Sequence, residues 1–267
     1  MHADVQVVLN VHCNIALPPE ESAEGTIPPE IGNLSCLVSL DMNDNFFYGP
    51  IPPSIFNISS IQAIHLRGNP LSSKLPNDMC MQSLHNLKTL RISFTKLYGE
   101  IPSSLGQCSS LEVLSLYNNS LVGEVPKEIG NLTCSLSYTL GVIPGEIGQL
   151  NNLEYVSIDS NKLTGPLPLA FFNMSHVKSI SLRHNTLNGT LPREIGNMKS
   201  LQELYLINNT LTGKCDSRRD LGLENLVALY MSSNNFIGHL PPVMFNMKSL
   251  TSLSLHKNAL TGMSIQS

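Results

Sequence analysis

The chain has 267 residues, a net charge of −4 and only 13% charged residues, with a pI near 6.0. No basic field is available to hold a phosphate backbone, so a nucleic acid partner is not expected. No apolar run approaches the roughly 20 residues that cross a bilayer, the six cysteines show no C-x-x-C pair and the eight histidines no ligand spacing. Membrane insertion by this chain, metal binding, cofactor chemistry and catalytic residues are therefore not expected.

Residues 1–23 carry no basic leader, place Asp4 beside the first apolar residues and break their apolar run at Asn10 and His12. This segment does not read as a signal peptide and is expected to be irregular. From 24 to 267 one template recurs about every 24 residues, opening at Leu34, Ile58, Leu84, Cys108, Leu132, Leu150, Met174, Met198, Leu223 and Met247. A period of that size marks a solenoid of about ten units, each burying its apolar face against its neighbours. Within a unit, apolar residues stand at positions 4, 7 and 9, Asn at 12, an apolar residue at 14, Gly at 16 and a Leu/Ile/Val-Pro pair at 18 and 19, as in Leu111, Leu114, Leu116, Asn119, Leu121, Gly123, Val125 and Pro126.

Positions 7 and 9 are two apart, which puts both side chains on one face of a strand and turns positions 6, 8 and 10 outward. One such strand per unit predicts a parallel sheet roughly 45 to 50 Å long. The Asn at position 12, replaced only by Thr95 in an intact unit, can satisfy backbone groups of a turn that would otherwise be buried unpaired. Gly at 16 permits a tight bend, and Pro at 19 removes a donor and ends any strand.

The string L-x-x-L-x-x-L-x-L-x-x-N-x-L-x-G-x-I-P, seen in EGTIPPEIGNLSCL, GEVPKEIGNLT and GTLPREIGNMKSL, resembles the plant-type leucine-rich repeat over residues 25 to 262. LPNDMC followed by GEIPSSLGQCSSLEVLSL is similar to extracellular domains of plant receptor-like serine/threonine kinases, in particular the subfamily of the flagellin receptor. The resemblance implies an α/β-type repeat solenoid: a curved superhelix with a concave parallel β-sheet, mostly strand and loop, with short 3-10 or helical turns on the convex side. A second short sheet is implied at the G-x-I-P step.

Several features depart from the template. Cys80 ends one unit and Cys108 opens a unit one solenoid turn later, so the two are a candidate disulfide; alternatively Cys108 simply fills a buried leucine slot. Unit 132–149 is only 18 residues long and lacks the second strand leucine, the Asn and the turn. Either the solenoid kinks there or the unit has suffered a deletion. At 214–222, KCDSRRDLG replaces the expected I-P-x-x-I-G step, which predicts a convex surface loop. Arg219, Asp220, Leu221 and Asn225 there mimic the spacing of a kinase catalytic loop, but Leu223 and Leu226 belong to the next repeat and no phosphate loop or D-F-G accompanies them. Both ends fall inside the template without caps, so the chain reads as a fragment of a longer receptor ectodomain at the extracellular face of the plasma membrane.

The outward strand positions are where a partner would be read. His65, Arg67 and Arg91 form a candidate cationic patch for a carboxylate or a peptide C-terminus. Tyr205, Ile207 and Tyr230 form a candidate aromatic surface, while Tyr117, Asp159 and Arg183 complete the candidate ligand face, with Arg183 able to pair Asp159 across one repeat. Seven N-x-S/T sequons, at Asn33, Asn57, Asn118, Asn131, Asn173, Asn188 and Asn208, are candidate glycosylation sites of a secreted protein. The expected function is recognition of a peptide or protein ligand, with a co-receptor as a further candidate partner, in cell-surface signalling for defence or development. The alternatives are a secreted inhibitor of a microbial cell-wall hydrolase, similar to polygalacturonase inhibitors, and a truncated, non-functional product.

Overall fold

The computed structural model describes residues 14–16, 23–81, 83–122, 143, 147, 149–215, 222–239 and 247–261. Strands are numbered β1 to β19 in chain order. The main sheet is wholly parallel and has ten strands: β1 (Asn14–Ala16), β3 (Ser39–Asp41), β5 (Ala63–His65), β6 (Thr89–Arg91), β8 (Val113–Ser115), β10 (Tyr155–Ser157), β12 (Ser179–Ser181), β14 (Glu203–Tyr205), β16 (Ala228–Tyr230) and β18 (Ser252–Ser254), in that order across the sheet. Each strand covers positions 6 to 8 of its repeat. The position-7 side chains face inward, as Leu40, Ile64, Leu90, Leu114, Ile180 and Leu204 show by lying at 3% exposure or less.

On the convex side the I-P step leads into 3-10 turns at Pro29–Asn33, Pro53–Asn57, Ser103–Gln107, Leu169–Asn173 and Arg193–Asn197, and a further short 3-10 turn at Leu84–Asn86 follows Ser83. Proline suits the start of such a turn because its φ is already fixed and its missing N–H would be unpaired there anyway, as at Pro29 and Pro53. Each turn buries one or more apolar residues, such as Ile31, Ile55 with Phe56, Leu105, and Phe171 with Phe172. The second sheet is present only in pieces: β2 (Glu24–Thr26) with β4 (Phe46–Tyr48), β7 (Tyr98–Gly99) with β9 (Ser120–Leu121), β11 (Thr164–Pro166) with β13 (Thr186–Asn188), and β15 (Thr212–Cys215) with β17 (Asn235–Gly238) and β19 (Ala259–Leu260).

The asparagines at position 12 do more than close their own turns. Asn69 donates through Nδ2 to Leu66 O (3.1 Å) and Arg67 O (3.2 Å) in its own repeat and to Met42 O (2.8 Å) in the preceding one, while its Oδ1 accepts the N–H of Phe47 (3.0 Å). The same reach recurs at Asn161, Asn185, Asn209, Asn234 and Asn258. The ladder is thus a row of staples between repeats. It satisfies buried backbone groups that neither repeat could satisfy alone.

Three expectations change here. Residues 14–16, inside the segment expected to be irregular, form β1 and pair in register with β3, Ile15 opposite Leu40; three residues with Ile15 in register are enough to add a strand to an open parallel edge. Lys214 and Cys215, placed at the start of a predicted loop, instead extend β15, with Lys214 opposite Ile237; residues 216–221 lie outside the described residues. The short unit does not interrupt the main sheet, because β8 pairs directly with β10, Val113 opposite Tyr155. Asn161 spans this join as other asparagines span theirs, donating to Leu116 O (3.0 Å) and accepting from Leu121 N (3.0 Å). Ile143 and Ile147 of that unit are buried.

Candidate functional site

The outward side chains of the ten-stranded sheet form one concave face, and the structure sorts the residues singled out above into two groups. On β5 and β6, His65 and Arg91 are opposite one another in the ladder, and Asp41 precedes them on β3. His65 is not a free cation site: its Nδ1 lies 3.4 Å from Asp41 Oδ2, its Nε2 lies 2.9 Å from Thr89 Oγ1, and its side chain is only 17% exposed. The imidazole is held as a linker across three strands. The cationic patch therefore shrinks to two arginines. Arg91 is exposed, and among the described residues neither it nor Arg67 makes an ion pair.

Arg67 instead lies over the ring of Phe94, 5.5 Å from its centroid, and Phe94 meets Tyr117 edge-on at 4.9 Å. Beneath them Ser93 and Ser115 share a hydrogen bond of 2.9 Å. This brings Tyr117 into the N-terminal group, two repeats from Arg67, through a residue that spacing had not marked. Phe94 stands at position 11, the corner just after the strand. At that corner every described repeat adopts a left-handed backbone, with φ of 51° to 57° at Asp44, Phe94, Asn118, Ser160, His184, Asn208, Ser233 and Lys257 and 73° at Gly68. A phenylalanine is poorly suited to that conformation, and this one is 45% exposed. The cue available in the sequence was an aromatic residue in a row of glycine and polar residues.

The second group is continuous across four strands. Asp159 accepts hydrogen bonds from Arg183 N (2.7 Å), Arg183 Nε (3.2 Å), Arg183 Nη2 (3.0 Å) and Ser181 Oγ (2.8 Å), and its carboxylate is 8% exposed. The Arg183 guanidinium then lies 5.0 Å from the Tyr205 ring centroid, and Tyr205 stacks on Tyr230 with centroids 5.1 Å apart and planes 16° from parallel. Asp159, Arg183, Tyr205 and Tyr230 are therefore a chain of mutual contacts whose charges are already compensated. Burial, reinforced by Glu203 and Tyr230 and opposed by Arg183, pushes the Tyr205 phenol above its ordinary value. Ile207 lies half-buried two residues beyond Tyr205.

Cys80 and Cys108 are joined as a disulfide with Cα atoms 5.1 Å apart, and both are buried, so Cys108 fills a core slot and bridges from it. Asn33, Asn57, Asn118, Asn173, Asn188 and Asn208 are all exposed, while Asn131 lies outside the described residues, as do Arg219, Asp220 and Leu221. Asn33, Asn57 and Asn173 end convex 3-10 turns, Asn188 ends β13, and Asn118 and Asn208 occupy left-handed corners at the rim of the concave face. The described residues contain no group of three His, Cys, Asp or Glu able to hold a metal, and no helix among them is long and apolar enough to cross a membrane.

Family models described as leucine rich repeat match residues 151–211 and, repeat by repeat, 36–58, 86–108, 110–132 and 225–247, together more than half of the chain. Among solved structures, a TDR receptor is similar at 30% identity over 90% of this chain and 38% of that one, with a TM-score of 0.77. The Arabidopsis receptor kinase HAESA, in complex with the peptide hormone IDA and the co-receptor SERK1, is 25% identical over 90% of this chain and 41% of that one, with a TM-score of 0.71. A plant ice-binding protein is similar in fold alone, with 24% identity over 90% of this chain and 70% of that one and a TM-score of 0.74. The chain spans less than half the length of the two receptors. No curated protein matches it in sequence.

Proposed function

The chain belongs to the leucine-rich repeat proteins, and on that premise we propose that it is a ligand-recognition stretch of a receptor ectodomain acting in cell-surface signalling. An extended peptide or protein segment lies along the concave face, a co-receptor is a further partner, and membrane and kinase segments of a longer receptor carry the signal. The observation that carries this reading is the imbalance of charge on the concave face. Asp159 and Arg183 neutralise each other and His65 is tied to Asp41, whereas Arg67 and Arg91, on adjacent repeats, have no carboxylate partner among the described residues. Guanidiniums suit a carboxylate, which each can bind in bidentate fashion. The compensated chain from Asp159 to Tyr230 supplies a flat, half-buried aromatic surface for the apolar part of the same ligand.

The test is a binding screen of the full chain against a library of synthetic peptides of about ten residues, each made with a free and with an amidated C-terminus. Free-acid peptides are expected to bind at least tenfold more tightly than their amidated forms, a difference that Arg67→Ala with Arg91→Ala abolishes. Equal binding of the two forms, or free-acid binding that survives loss of both arginines, would overturn the assignment of this stretch.

A further inference from the structure

We propose that Asn118 carries an N-linked glycan whose first N-acetylglucosamine packs against the ring of Phe94, an inference that rests on the extracellular reading above. Asn118 opens the sequon Asn118-Asn119-Ser120, and the two asparagines have separate tasks. Asn119 is committed to the inter-repeat ladder through Ile92 O, Leu116 O and Leu97 N. The Asn118 side chain is exposed and left out of that ladder.

What singles out Asn118 among the sequons is its neighbour. Corner side chains of adjacent repeats meet, as Asn208 Nδ2 and His184 Nδ1 do at 3.1 Å. By the same geometry the Phe94 corner adjoins the Asn118 corner, and the Phe94 N–H donates to Tyr117 O (3.0 Å), the carbonyl of the peptide group that leads into Asn118. Phe94 is a bulky residue on a left-handed backbone with φ of 51°. Such strain persists where something else gains from it. Arg67 and Tyr117 cover only part of Phe94, which remains 45% exposed. The apolar C–H face of a pyranose matches such a ring, and a sugar attached one corner away is held beside it without the entropy cost of recruiting a free ligand.

The modification needs a lipid-diphosphate-linked oligosaccharide and the transferase of the secretory pathway. The Asn118 amide nitrogen bonds to the anomeric carbon of the donor, the anomeric C–O bond breaks, the lipid diphosphate leaves, and the amide loses one proton to a base of the transferase. The glycan then roofs the rim beside Arg67. A partner reaching Arg67 and Arg91 is confined to the strand rows and cannot approach over the Phe94 corner.

The full chain, fused to a secretion leader and expressed in a eukaryotic host, is analysed by glycopeptide mass spectrometry, trimmed enzymatically to single sugars and melted. Asn118 is expected to be occupied. The single-sugar form is expected to melt about 2–4 °C above the Ser120→Ala variant, which removes the sequon and leaves the Asn118 corner in place. In a Phe94→Ser background that difference should fall to near zero, while any effect of the Asn208 glycan is unchanged. Serine stands at this corner in two other repeats, as Ser160 and Ser233, so the variant suits the backbone. An unmodified Asn118 beside occupied sequons elsewhere, or a glycan effect that survives loss of the ring, overturns the inference. Empty sequons throughout would overturn the extracellular reading and the inference together.

Discussion

Replacing one ladder asparagine in the middle of the solenoid should weaken a single interface between repeats. Asn185 is 6% exposed; its Nδ2 donates to Ile158 O (3.0 Å) in the preceding repeat and to Leu182 O and Arg183 O (3.2 Å each) in its own, and its Oδ1 accepts Leu163 N–H (3.2 Å). In Asn185→Ala the Ile158 carbonyl keeps Asn161 Nδ2 (3.2 Å) and the Leu182 carbonyl keeps Asn209 Nδ2 (2.9 Å), so the group left unsatisfied is the Leu163 N–H, at about 1–3 kcal/mol. Water entering the vacated space recovers part of that and the weakened carbonyls add to it, which sets the expected loss at about 2 kcal/mol. For a chain of this size the midpoint should fall by about 4–8 °C. Asn197→Ala, at the exposed end of a 3-10 turn, is the control and should stay within about 0.5 kcal/mol of the parent. Denaturant unfolding measures both, and hydrogen exchange should show protection falling first at the Leu163 amide, which donates to Asn185 Oδ1, because coupling in a solenoid runs between nearest neighbours. An Asn185→Ala loss indistinguishable from that of Asn197→Ala would refute the ladder as an inter-repeat staple.

Asp159→Ala removes the acceptor of four hydrogen bonds from Arg183 and Ser181; a loss of about 2–3 kcal/mol in denaturant unfolding is expected, with Asp159→Asn retaining part of it. Tyr205, raised by burial, and Lys178, raised by its hydrogen bond to Glu154, both favour their protonated forms in the folded state. Their contributions are complete below about pH 10 and are lost as pH rises through the folded values. Stability should therefore decline above about pH 10, less steeply in Tyr205→Phe, and absorbance titration should show that this variant has lost a phenol that ionises above the ordinary value. Non-reducing mass spectrometry should find Cys80 linked to Cys108; their separation of 28 residues implies that replacing both with serine lowers stability by about 3.5 kcal/mol, from loop closure in the unfolded chain.

The scaffold was legible in the sequence because its signals are local. Leu111, Leu114 and Leu116 stand at intervals that only an inward-facing strand satisfies, and all three are fully buried. The site was legible only in part, because its contacts run across repeats. That His65 faces outward follows from its position. That Asp41 and Thr89 claim its two nitrogens depends on side chains 24 residues away in either direction, which spacing within one repeat does not encode. Phe94 escaped for a different reason: position 11 is defined by a backbone conformation rather than by a residue type, and its occupants range from glycine to lysine. The strand at Asn14–Ala16 lacked a template around it to mark it.

The short unit bears directly on how far a ligand could reach. A kink at 132–149 would have split the concave face into two separate surfaces, with Arg67 and Arg91 on one and Arg183 and Tyr205 on the other. Val113 pairs with Tyr155 and Ser115 with Ser157, just as Tyr155 pairs with Ser179 and Ser157 with Ser181 at the next step. Strand spacing across the join is therefore that of an ordinary parallel pair, about 4.8 Å. Four strand steps separate β6 from β14 in the sheet, which places Arg91 and Tyr205 about 19 Å apart along the sheet. An extended chain advances about 3.3 Å per residue, so roughly six residues cover that distance. On the proposed reading a single short peptide can thus engage the arginines with its carboxylate and the stacked tyrosines with a side chain nearer its N-terminus, and a further strand between them would lengthen the span by only about 4.8 Å, one to two residues.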